Sequence, residues 1–306
     1  MTREKDMADL ADLFPGFEAR TVATSGADIF LRTGGSGPPL LLVHGYPQTH
    51  VMWHKVAPAL AAHFTLVIPD LRGYGWSSVP RSDPEHGAYS KRTMATDLIE
   101  VMERLGHVRF DIAGHDRGGR VAYRLALDHP GRVGRIAVLD IVPTYEMWHG
   151  FTVKLAMKVY HWLFLAQPEP LPEMLIAKAP VEYLDYTLAS WTKAKSLAAF
   201  DPRALAHYRA FFQVPERIHA CCEDYRAGQT ADLAADEADA TAGRRIRSPL
   251  LALWGGAGIP GETDGPLDIW RRWGTDVTGM AIDSGHFVCE ENPQAAAAAL
   301  LDFLRT

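Results

Sequence analysis

Gly114-His115-Asp116-Arg117-Gly118-Gly119 is the stretch that decides the fold of this 306-residue chain. It has the outline of a strand–turn–helix nucleophile elbow, in which flanking glycines let the backbone turn sharply and expose the central side chain. Residues 109–113 before it have the pattern of a short strand, and apolar residues within 121–126 form a helical stripe after it. The sequence therefore predicts an open, mostly parallel sheet with Asp116 exposed at one strand end.

An aspartate at the centre of this elbow indicates particular chemistry. A serine that attacked a saturated carbon would leave a stable ether, whereas a carboxylate leaves an ester that water can hydrolyse. Asp116 therefore predicts nucleophilic attack on saturated carbon rather than ester hydrolysis. An aspartate before an apolar helix is also typical of an N-cap, so we expect Asp116 to cap the following helix as well.

The composition, with 47% hydrophobic and 22% charged residues, is that of an ordinary globular protein. A net charge of −6 without a basic run argues against nucleic acid or anionic membranes as partners. The cysteines, Cys221, Cys222 and Cys289, offer neither a disulfide framework nor a metal-binding spacing, so we expect reduced, buried thiols. A charged N-terminus and the lack of a membrane-length apolar stretch predict a soluble, cytoplasmic protein.

Strand and helix patterns alternate along the chain, as in a mostly parallel sheet covered on both faces. The predicted strands are Pro39–His44, Phe64–Pro69, Arg109–Gly114, Arg135–Asp140 and Leu250–Trp254. The predicted helices are His50–Ala62, Thr93–Leu105, Gly118–Asp128 and Gln294–Leu304. This pattern predicts an α/β fold built around one sheet.

The pattern changes between residues 142 and 247, where helical spacing and aromatic residues replace strands. A strand pattern resumes at Ser248 to Trp254, which favours an insertion over a plain extension of the sheet. The sequence predicts a first core segment at 1–141, a helical cap at 142–247 and a second core segment at 248–306.

The tetrapeptide His44-Gly45-Tyr46-Pro47 follows an apolar strand pattern. Backbone N–H groups at such a strand end can stabilise an oxyanion, so we predict the N–H groups of Tyr46 and Arg117 as the two donors. An ordinary turn built from glycine and proline gives the same pattern without any chemistry.

Ser284-Gly285-His286-Phe287 supplies the candidate base, His286, because the fold predicts the chain order nucleophile, acid, histidine. Two residues compete for the role of the acid. Asp140 ends a predicted strand, while Asp264 lies in the loop after the Leu250 strand, which is the commoner position in this architecture. We favour Asp140, since Asp264 is distant from its strand end in a loop rich in glycine and proline.

Arg117 and Arg120 are three residues apart at the start of the helix, so they share a face beside the nucleophile. A carboxylate nucleophile repels a carboxylate substrate by about 1 kcal/mol at 4 Å in water and about 4 kcal/mol at an effective dielectric of 20. Two guanidinium groups reverse that repulsion and hold the substrate in line. Isolated helix arginines are usually surface residues, but one directly after the nucleophile favours a small anionic substrate.

Six stretches of the chain together closely resemble the fluoroacetate dehalogenases of the α/β-hydrolase superfamily, in a match that runs nearly end to end. They are 44–50 (HGYPQTH), 114–120 (GHDRGGR), 137–141 (AVLDI), 160–162 (YHW), 222–228 (CEDYRAG) and 284–287 (SGHF). The resemblance implies an α/β-hydrolase fold with a helical cap, no metal or organic cofactor, and a homodimer.

The resemblance also implies a role for each matching residue. Asp116 would be the nucleophile, His286 would activate water and Asp140 would orient His286. Arg117 and Arg120 would hold the substrate carboxylate. The remaining implied site is a halide cradle formed by His161, Trp162 and Tyr225, which on their residue types alone are typical of an aromatic core. The implied reaction is hydrolysis of haloacetates, fluoroacetate among them, to glycolate and halide.

Two other functions fit parts of the sequence. An epoxide hydrolase uses the same nucleophile with cap tyrosines, for which the candidates are Tyr145, Tyr160, Tyr183 and Tyr225. Members of the superfamily that act on neutral substrates typically carry tryptophan after the nucleophile, so Arg117 disfavours this alternative. A ligand-binding receptor of the same fold is disfavoured by the intact nucleophile, acid and histidine.

Overall fold

One eight-stranded sheet organises the protein in the computed structural model, which describes residues 10–260 and 265–305. The strand order is β1-β2-β4-β3-β5-β6-β7-β8; β1 and β2 pair antiparallel, β2 pairs antiparallel with β4, and every pair from β4 through β3 to β8 is parallel. The strands are β1 (Glu18–Ala23), β2 (Asp28–Gly35), β3 (Pro39–Val43), β4 (Thr65–Pro69), β5 (Phe110–His115), β6 (Val133–Leu139), β7 (Leu250–Gly255) and β8 (Val277–Ile282). The prediction of a mostly parallel α/β sheet is confirmed.

All five predicted strands coincide with observed strands, β3 to β7, because these carry the buried apolar runs of a covered parallel sheet. The sequence patterns did not predict β1, β2 and β8. Most of their residues are exposed or half-buried, so none of these strands has a continuous buried run. Strands at or next to the edges of a sheet are recognised from the sequence less easily than central ones.

Helices connect the strands and enclose the sheet. They are α1 (Ala57–Ala61), α2 (Lys91–Arg104), α3 (Arg117–Asp128), α4 (Thr144–His149), α5 (Val153–Lys158), α6 (Tyr160–Leu165), α7 (Leu171–Ile176), α8 (Pro180–Trp191), α9 (Pro202–Phe212), α10 (Pro215–Gln229), α11 (Ala231–Ala242), α12 (Pro266–Trp273), α13 (Val288–Glu291) and α14 (Pro293–Leu304), with 3-10 turns at His50–Trp53 and Gly87–Tyr89. Helices α4 to α11 all lie between β6 and β7 in the chain. We refer to residues 142–247, which include them, as the cap, and its boundaries stay a prediction.

One predicted helix, His50–Ala62, is wrong as a single element. The chain forms a 3-10 turn at His50–Trp53 and then the separate helix α1. Pro58 falls in the first turn of α1, where its missing N–H costs nothing, whereas inside a continuous helix it would interrupt the hydrogen-bond ladder. The proline therefore marks a helix start that apolar spacing alone conceals.

Two further sequence predictions concern thiols and membranes. Cys221, Cys222 and Cys289 are all buried and free, in agreement with the expected reduced state. Within the described residues, none of the helices has the length and apolar character needed to cross a membrane.

Candidate active site

Asp116 occupies the turn between β5 and α3 with φ +49° and ψ −120°. A positive φ is strained for a residue with a side chain, and such strain is concentrated at functional sites. The flanking glycines make the turn possible. A Cβ on Gly114 would lie 2.4 Å from the Gly118 carbonyl oxygen, and one on Gly118 would lie 2.3 Å from that of His44. The backbone is therefore packed too tightly at both positions for any side chain.

The expectation that the Asp116 side chain caps α3 is wrong. Asp116 is at the N-cap position, but its side chain makes no capping hydrogen bond within the described residues. Oδ1 instead accepts the Tyr46 N–H at 2.8 Å, and Oδ2 lies 3.8 Å from His286 Nε2. The left-handed turn directs the carboxylate across to the β3 loop, away from the first turn of α3.

His286 and Asp140 form a hydrogen-bonded pair. His286 Nδ1 lies 2.6 Å from Asp140 Oδ2, and Asp140 Oδ1 accepts the Gly255 N–H at 2.8 Å. Asp264, the alternative acid, lies outside the described residues. The bond at Nδ1 fixes the imidazole so that Nε2 is the nitrogen nearest Asp116.

The charges of these groups influence one another. Burial lowers the pKa of His286, but the hydrogen bond and charge of Asp140, together with the charge of Asp116, outweigh burial and raise it above 6.5. Burial raises the pKa of Asp116, yet the nearby His286 and the two arginines leave it below 3.8. Asp116 is therefore ionised at neutral pH, as a nucleophile must be.

Arg117 and Arg120 are both buried, with their guanidinium carbons 5.7 Å and 4.5 Å from the Trp162 ring centre. They are held in different ways. Arg120 Nη1 donates to the Val142 carbonyl and to Thr144 Oγ1, both at 3.0 Å. Arg117 donates from Nε and Nη2 to Asp224 Oδ1, at 3.0 and 2.6 Å. One guanidinium is thus anchored by neutral groups and the other by an ion pair.

The three predicted halide-binding residues lie together in the cap. Tyr225 packs edge-on against His161 and Trp162, with ring centres 5.7 Å and 6.0 Å apart. Burial lowers the pKa of His161 to about 3 and raises the pKa of Tyr225 well above 10, so both side chains are neutral at pH 7. Among the described residues, neither Tyr225 Oη nor His161 Nδ1 has a hydrogen-bond partner.

A small cavity of about 30 Å³ joins the core and cap residues. Asp116, Asp140, His286, Arg120, His161 and Trp162 are the predicted site residues that line it. Arg117 and Tyr225 do not line it and instead contact Trp162 in its wall. The cavity volume corresponds to only about two or three water molecules by the usual measure of about 10–15 Å³ per water. It therefore suits a small substrate.

Four residues at the site were missed by the sequence analysis: His115, Thr144, Trp191 and Asp224. His115 Nε2 lies 2.8 Å from the His286 carbonyl oxygen, and burial lowers the pKa of His115 to about 3, so the neutral ring donates there. Trp191 lines the cavity. A signal existed for Asp224, since it directly precedes Tyr225 within a matched stretch. Spacing gave none for Thr144 or Trp191, whose positions depend on how the cap helices fold back.

The described parts of the chain contain no group of three histidine, cysteine, aspartate or glutamate residues that could hold a metal ion.

Known proteins resemble this chain in both sequence and structure. Residues 38–293 match the family model of the α/β hydrolase fold. A fluoroacetate dehalogenase from Burkholderia sp is 42% identical over 292 residues, which cover 95% of each chain. A soluble epoxide hydrolase from Corynebacterium sp. (strain C12) is 34% identical over 89% of this chain and 91% of its own. A solved structure from Nostoc sp PCC 7120, described as an α/β hydrolase, is 51% identical with a TM-score of 0.91, covering 94% of this chain and 98% of that one.

Proposed function

This chain belongs to the α/β-hydrolase fold family, and from that premise we propose that it is a haloacetate dehalogenase that converts haloacetates, including fluoroacetate, to glycolate and halide. The resemblance to fluoroacetate dehalogenase that the sequence indicated is confirmed by the comparison. The observation that carries the proposal is an ionised Asp116 between the Tyr46 N–H and His286, with two buried guanidinium groups nearby.

In the first step, Asp116 Oδ2 attacks the halogen-bearing carbon in line with the carbon–halogen bond. The C–O bond forms as the halide leaves with the bonding electrons, giving an ester of Asp116. Oδ1 is engaged by the Tyr46 N–H, so Oδ2 is the oxygen available for attack. The neutral donors of His161, Trp162 and Tyr225 would stabilise the charge that develops on the halide.

In the second step, His286 Nε2 takes a proton from water, and the resulting hydroxide adds to the Asp116 carbonyl carbon. Asp140 stabilises the imidazolium that forms, through its 2.6 Å contact with Nδ1. The oxyanion would be stabilised by the N–H groups of Tyr46 and Arg117. When the intermediate collapses, the bond between the carbonyl carbon and the substrate oxygen breaks, and the imidazolium of His286 protonates that oxygen to give glycolate. The Asp116 carboxyl then loses its proton to solvent, which regenerates the carboxylate.

Positive charge supports an anionic substrate. Arg117 and Arg120 are buried beside Asp116, and Arg117 Nη1 and Arg120 Nε lack hydrogen-bond partners among the described residues. Unpaired donors on buried cations are costly unless a ligand engages them. We infer that the two arginines bind the carboxylate of the haloacetate.

An epoxide hydrolase is the second candidate, favoured by the Corynebacterium relative and by buried tyrosine hydroxyls. Tyr225 Oη lacks a hydrogen-bond partner within the described residues, whereas the Tyr183 hydroxyl interacts with those of Tyr46 and Tyr160. Such hydroxyls could protonate an epoxide oxygen. A neutral epoxide, however, would leave the charge of two buried guanidinium groups uncompensated by any substrate group.

The two candidates are separated by substrate. The protein is incubated with fluoroacetate, chloroacetate, chloroacetamide and a small neutral epoxide, and halide, glycolate and diol are measured. We expect halide and glycolate in equal amounts from the haloacetates and little from the amide. Diol formation without halide release would favour the epoxide hydrolase, and binding without turnover of any compound would favour a receptor.

The covalent step has its own test. In a single turnover in ¹⁸O-water with enzyme in excess, the label should enter the Asp116 carboxylate, because water attacks the ester carbonyl. Label found only in glycolate would contradict the ester mechanism.

The assembly is proposed as a homodimer. Several large apolar side chains of the cap are exposed: Val153, Met157, Leu171, Met174, Leu175 and Tyr186. A patch of this kind on a cap is typical of a protein interface. Sedimentation velocity should give the mass of two chains. A cytoplasmic location stays a prediction.

A further inference from the structure

Asp224 is the centre of a buried ionic cluster behind the cavity wall. Its Oδ1 accepts from Arg117 Nε and Nη2 and from Lys91 Nζ, and its Oδ2 accepts from Tyr74 Oη at 2.8 Å. The Arg117 Nη2 group also donates to the Asp224 carbonyl oxygen at 2.5 Å. Asp224 itself is completely buried. Its three partners belong to the core, whereas Asp224 belongs to cap helix α10.

We propose that Asp224 is a positioning residue that sets the enzyme's preference for carboxylate substrates by fixing the guanidinium of Arg117. The inference rests on the proposed function, because it concerns how a haloacetate is recognised. Neither the sequence motifs nor the comparisons give Asp224 a role.

Asp224 fixes the orientation of the Arg117 guanidinium. Asp224 engages the Nε–Nη2 side of the Arg117 fork, and the Tyr225 ring lies 4.3 Å from the guanidinium carbon. Within the described residues, Nη1 is the one nitrogen of this guanidinium without a partner. A free arginine side chain would sample many rotamers, and its closest anion would be the nucleophile Asp116. The bond to Asp224 prevents this pairing and presents Nη1 in one direction.

Asp224 also compensates the charge of Arg117. An arginine paired with one aspartate is nearly neutral and attracts anions weakly. Here Lys91 bonds to Asp224 and also to Asp232, so the four charges of Lys91, Arg117, Asp224 and Asp232 sum to zero. Arg117 is therefore held in place by a cluster without net charge. The positive charge that no acidic group compensates is that of Arg120, whose hydrogen-bond partners are neutral.

A matched control exists on the same helix as Arg117. Arg124 of α3 is ion-paired with Asp239 of cap helix α11, and Asp239, like Asp224, is completely buried. This pair joins core and cap in the same way, but it lines no part of the cavity. Asp239→Asn therefore reports the cost of losing a buried cap–core ion pair without a change at the site.

The experiment compares the native protein with Asp224→Asn and Asp239→Asn. Acetate, which cannot react, is titrated by calorimetry, and kcat/KM is measured for chloroacetate and chloroacetamide. We expect Asp224→Asn to weaken acetate binding at least tenfold and to reduce the chloroacetate-to-chloroacetamide ratio of kcat/KM by a similar factor. For Asp239→Asn, the chloroacetate-to-chloroacetamide ratio of kcat/KM and the acetate Kd should stay within about twofold of the native values. This should hold even if its Tm falls as much as that of Asp224→Asn.

The outcomes separate the inference from the function. Equal effects of Asp224→Asn and Asp239→Asn on acetate binding would overturn the positioning role, and so would tighter acetate binding by Asp224→Asn, which would show that charge alone decides. If Asp224→Asn does not fold, Asp224→Glu keeps the charge but displaces it by one methylene, and it should still weaken acetate binding. A native protein that binds acetate but turns over no haloacetate would refute the proposed function while leaving the acetate comparison valid.

Discussion

The two walls of the cavity differ in how their polar groups are satisfied. On the core wall, hydrogen bonds hold the nucleophile and the base in place: Asp116 accepts the Tyr46 N–H, His286 Nδ1 bonds to Asp140 and Asp140 accepts the Gly255 N–H, while His286 Nε2 has no partner within the described residues. On the cap wall, the buried polar atoms Tyr225 Oη and His161 Nδ1 lack partners among the described residues.

This difference indicates a division of labour. A wall whose nucleophile and base are already held by hydrogen bonds is preorganised, so it can perform the same covalent steps on any haloacetate that reaches it. A wall of neutral, unpartnered donors becomes fully bonded only when a ligand supplies acceptors. Core substitutions should therefore affect all haloacetates alike, whereas cap substitutions should discriminate among leaving groups.

The largest effect is expected from the core. His286→Asn should lower steady-state turnover by about 10⁴-fold or more, because water loses its base while Asp116 can still be alkylated. Carboxymethylated protein should accumulate in intact-mass spectra with fluoroacetate, chloroacetate and bromoacetate alike. An adduct that forms with only one of the three haloacetates would show that the core wall does not treat these substrates alike. Steady-state turnover at the native rate in this variant would show that His286 is not the base.

The next effect belongs to the cap. Trp162→Phe and Tyr225→Phe keep an aromatic ring but remove one donor each, and losing such a donor typically costs about 10²–10³ in rate. We expect a loss of that order for fluoroacetate and a clearly smaller one for bromoacetate, since fluoride leaves poorly and concentrates its charge.

Ester formation in a single turnover is the measurement needed here, because steady-state rates on bromoacetate can be limited by hydrolysis. Equal proportional losses for the two substrates would show that these cap residues only shape the cavity, and the halide assignment would then be withdrawn.

A smaller, pH-dependent effect returns to the core. His286 must be neutral to accept a proton, and its pKa lies above 6.5 in the free enzyme partly because of the charge on Asp116. Ester hydrolysis should slow by about tenfold per pH unit below the pKa that His286 has in the ester, because one pKa unit corresponds to a tenfold change in the neutral fraction.

Esterification removes the Asp116 charge, so the pKa seen in hydrolysis of the ester should be lower than the pKa of His286 measured by NMR in the free enzyme. The two values should not depend on the halogen. A hydrolysis pKa equal to or above the free-enzyme value would show that Asp116 does not influence the histidine.

The smallest effect is expected from Tyr183→Phe. Tyr183 is a cap tyrosine like Tyr225, but it packs on Phe164 and Phe212, whereas Tyr225 packs on the cavity-lining residues His161 and Trp162. Fluoroacetate turnover should change by less than about threefold, within the range of ordinary surface or peripheral substitutions. A loss as large as that of Tyr225→Phe would revive the epoxide hydrolase interpretation, in which two cap tyrosines act together.

The sequence predicted the central sheet because its strands are buried on both faces and therefore apolar throughout. It did not predict β1, β2 and β8, whose half-exposed residues carry no such signal. The elbow was recognisable because local sterics require glycine on either side of Asp116. Its side chain was misassigned as a helix cap, since the positive φ that redirects it depends on contacts between distant segments.

The site shows the same limit. Asp116, His286 and Asp140 follow strand ends, where chain order and fold constrain them strongly. The role of Asp224 could not be deduced from the sequence, because it comes from three partners that are 107 to 150 residues away in the chain. Long-range ion pairs between cap and core leave no spacing pattern in either segment.

The joint between β6 and the cap bears on protein engineering. Asp140 follows β6 directly, and within the next four residues the Val142 carbonyl and Thr144 Oγ1 anchor Arg120. A chimera that exchanges caps between relatives at the end of the strand would separate the acid from the anchor of the arginine. Such a graft should be spliced after Thr144 and should keep Asp224, so that the recipient retains its own anchors for Arg120 and Arg117 while the donor cap brings a new leaving-group preference.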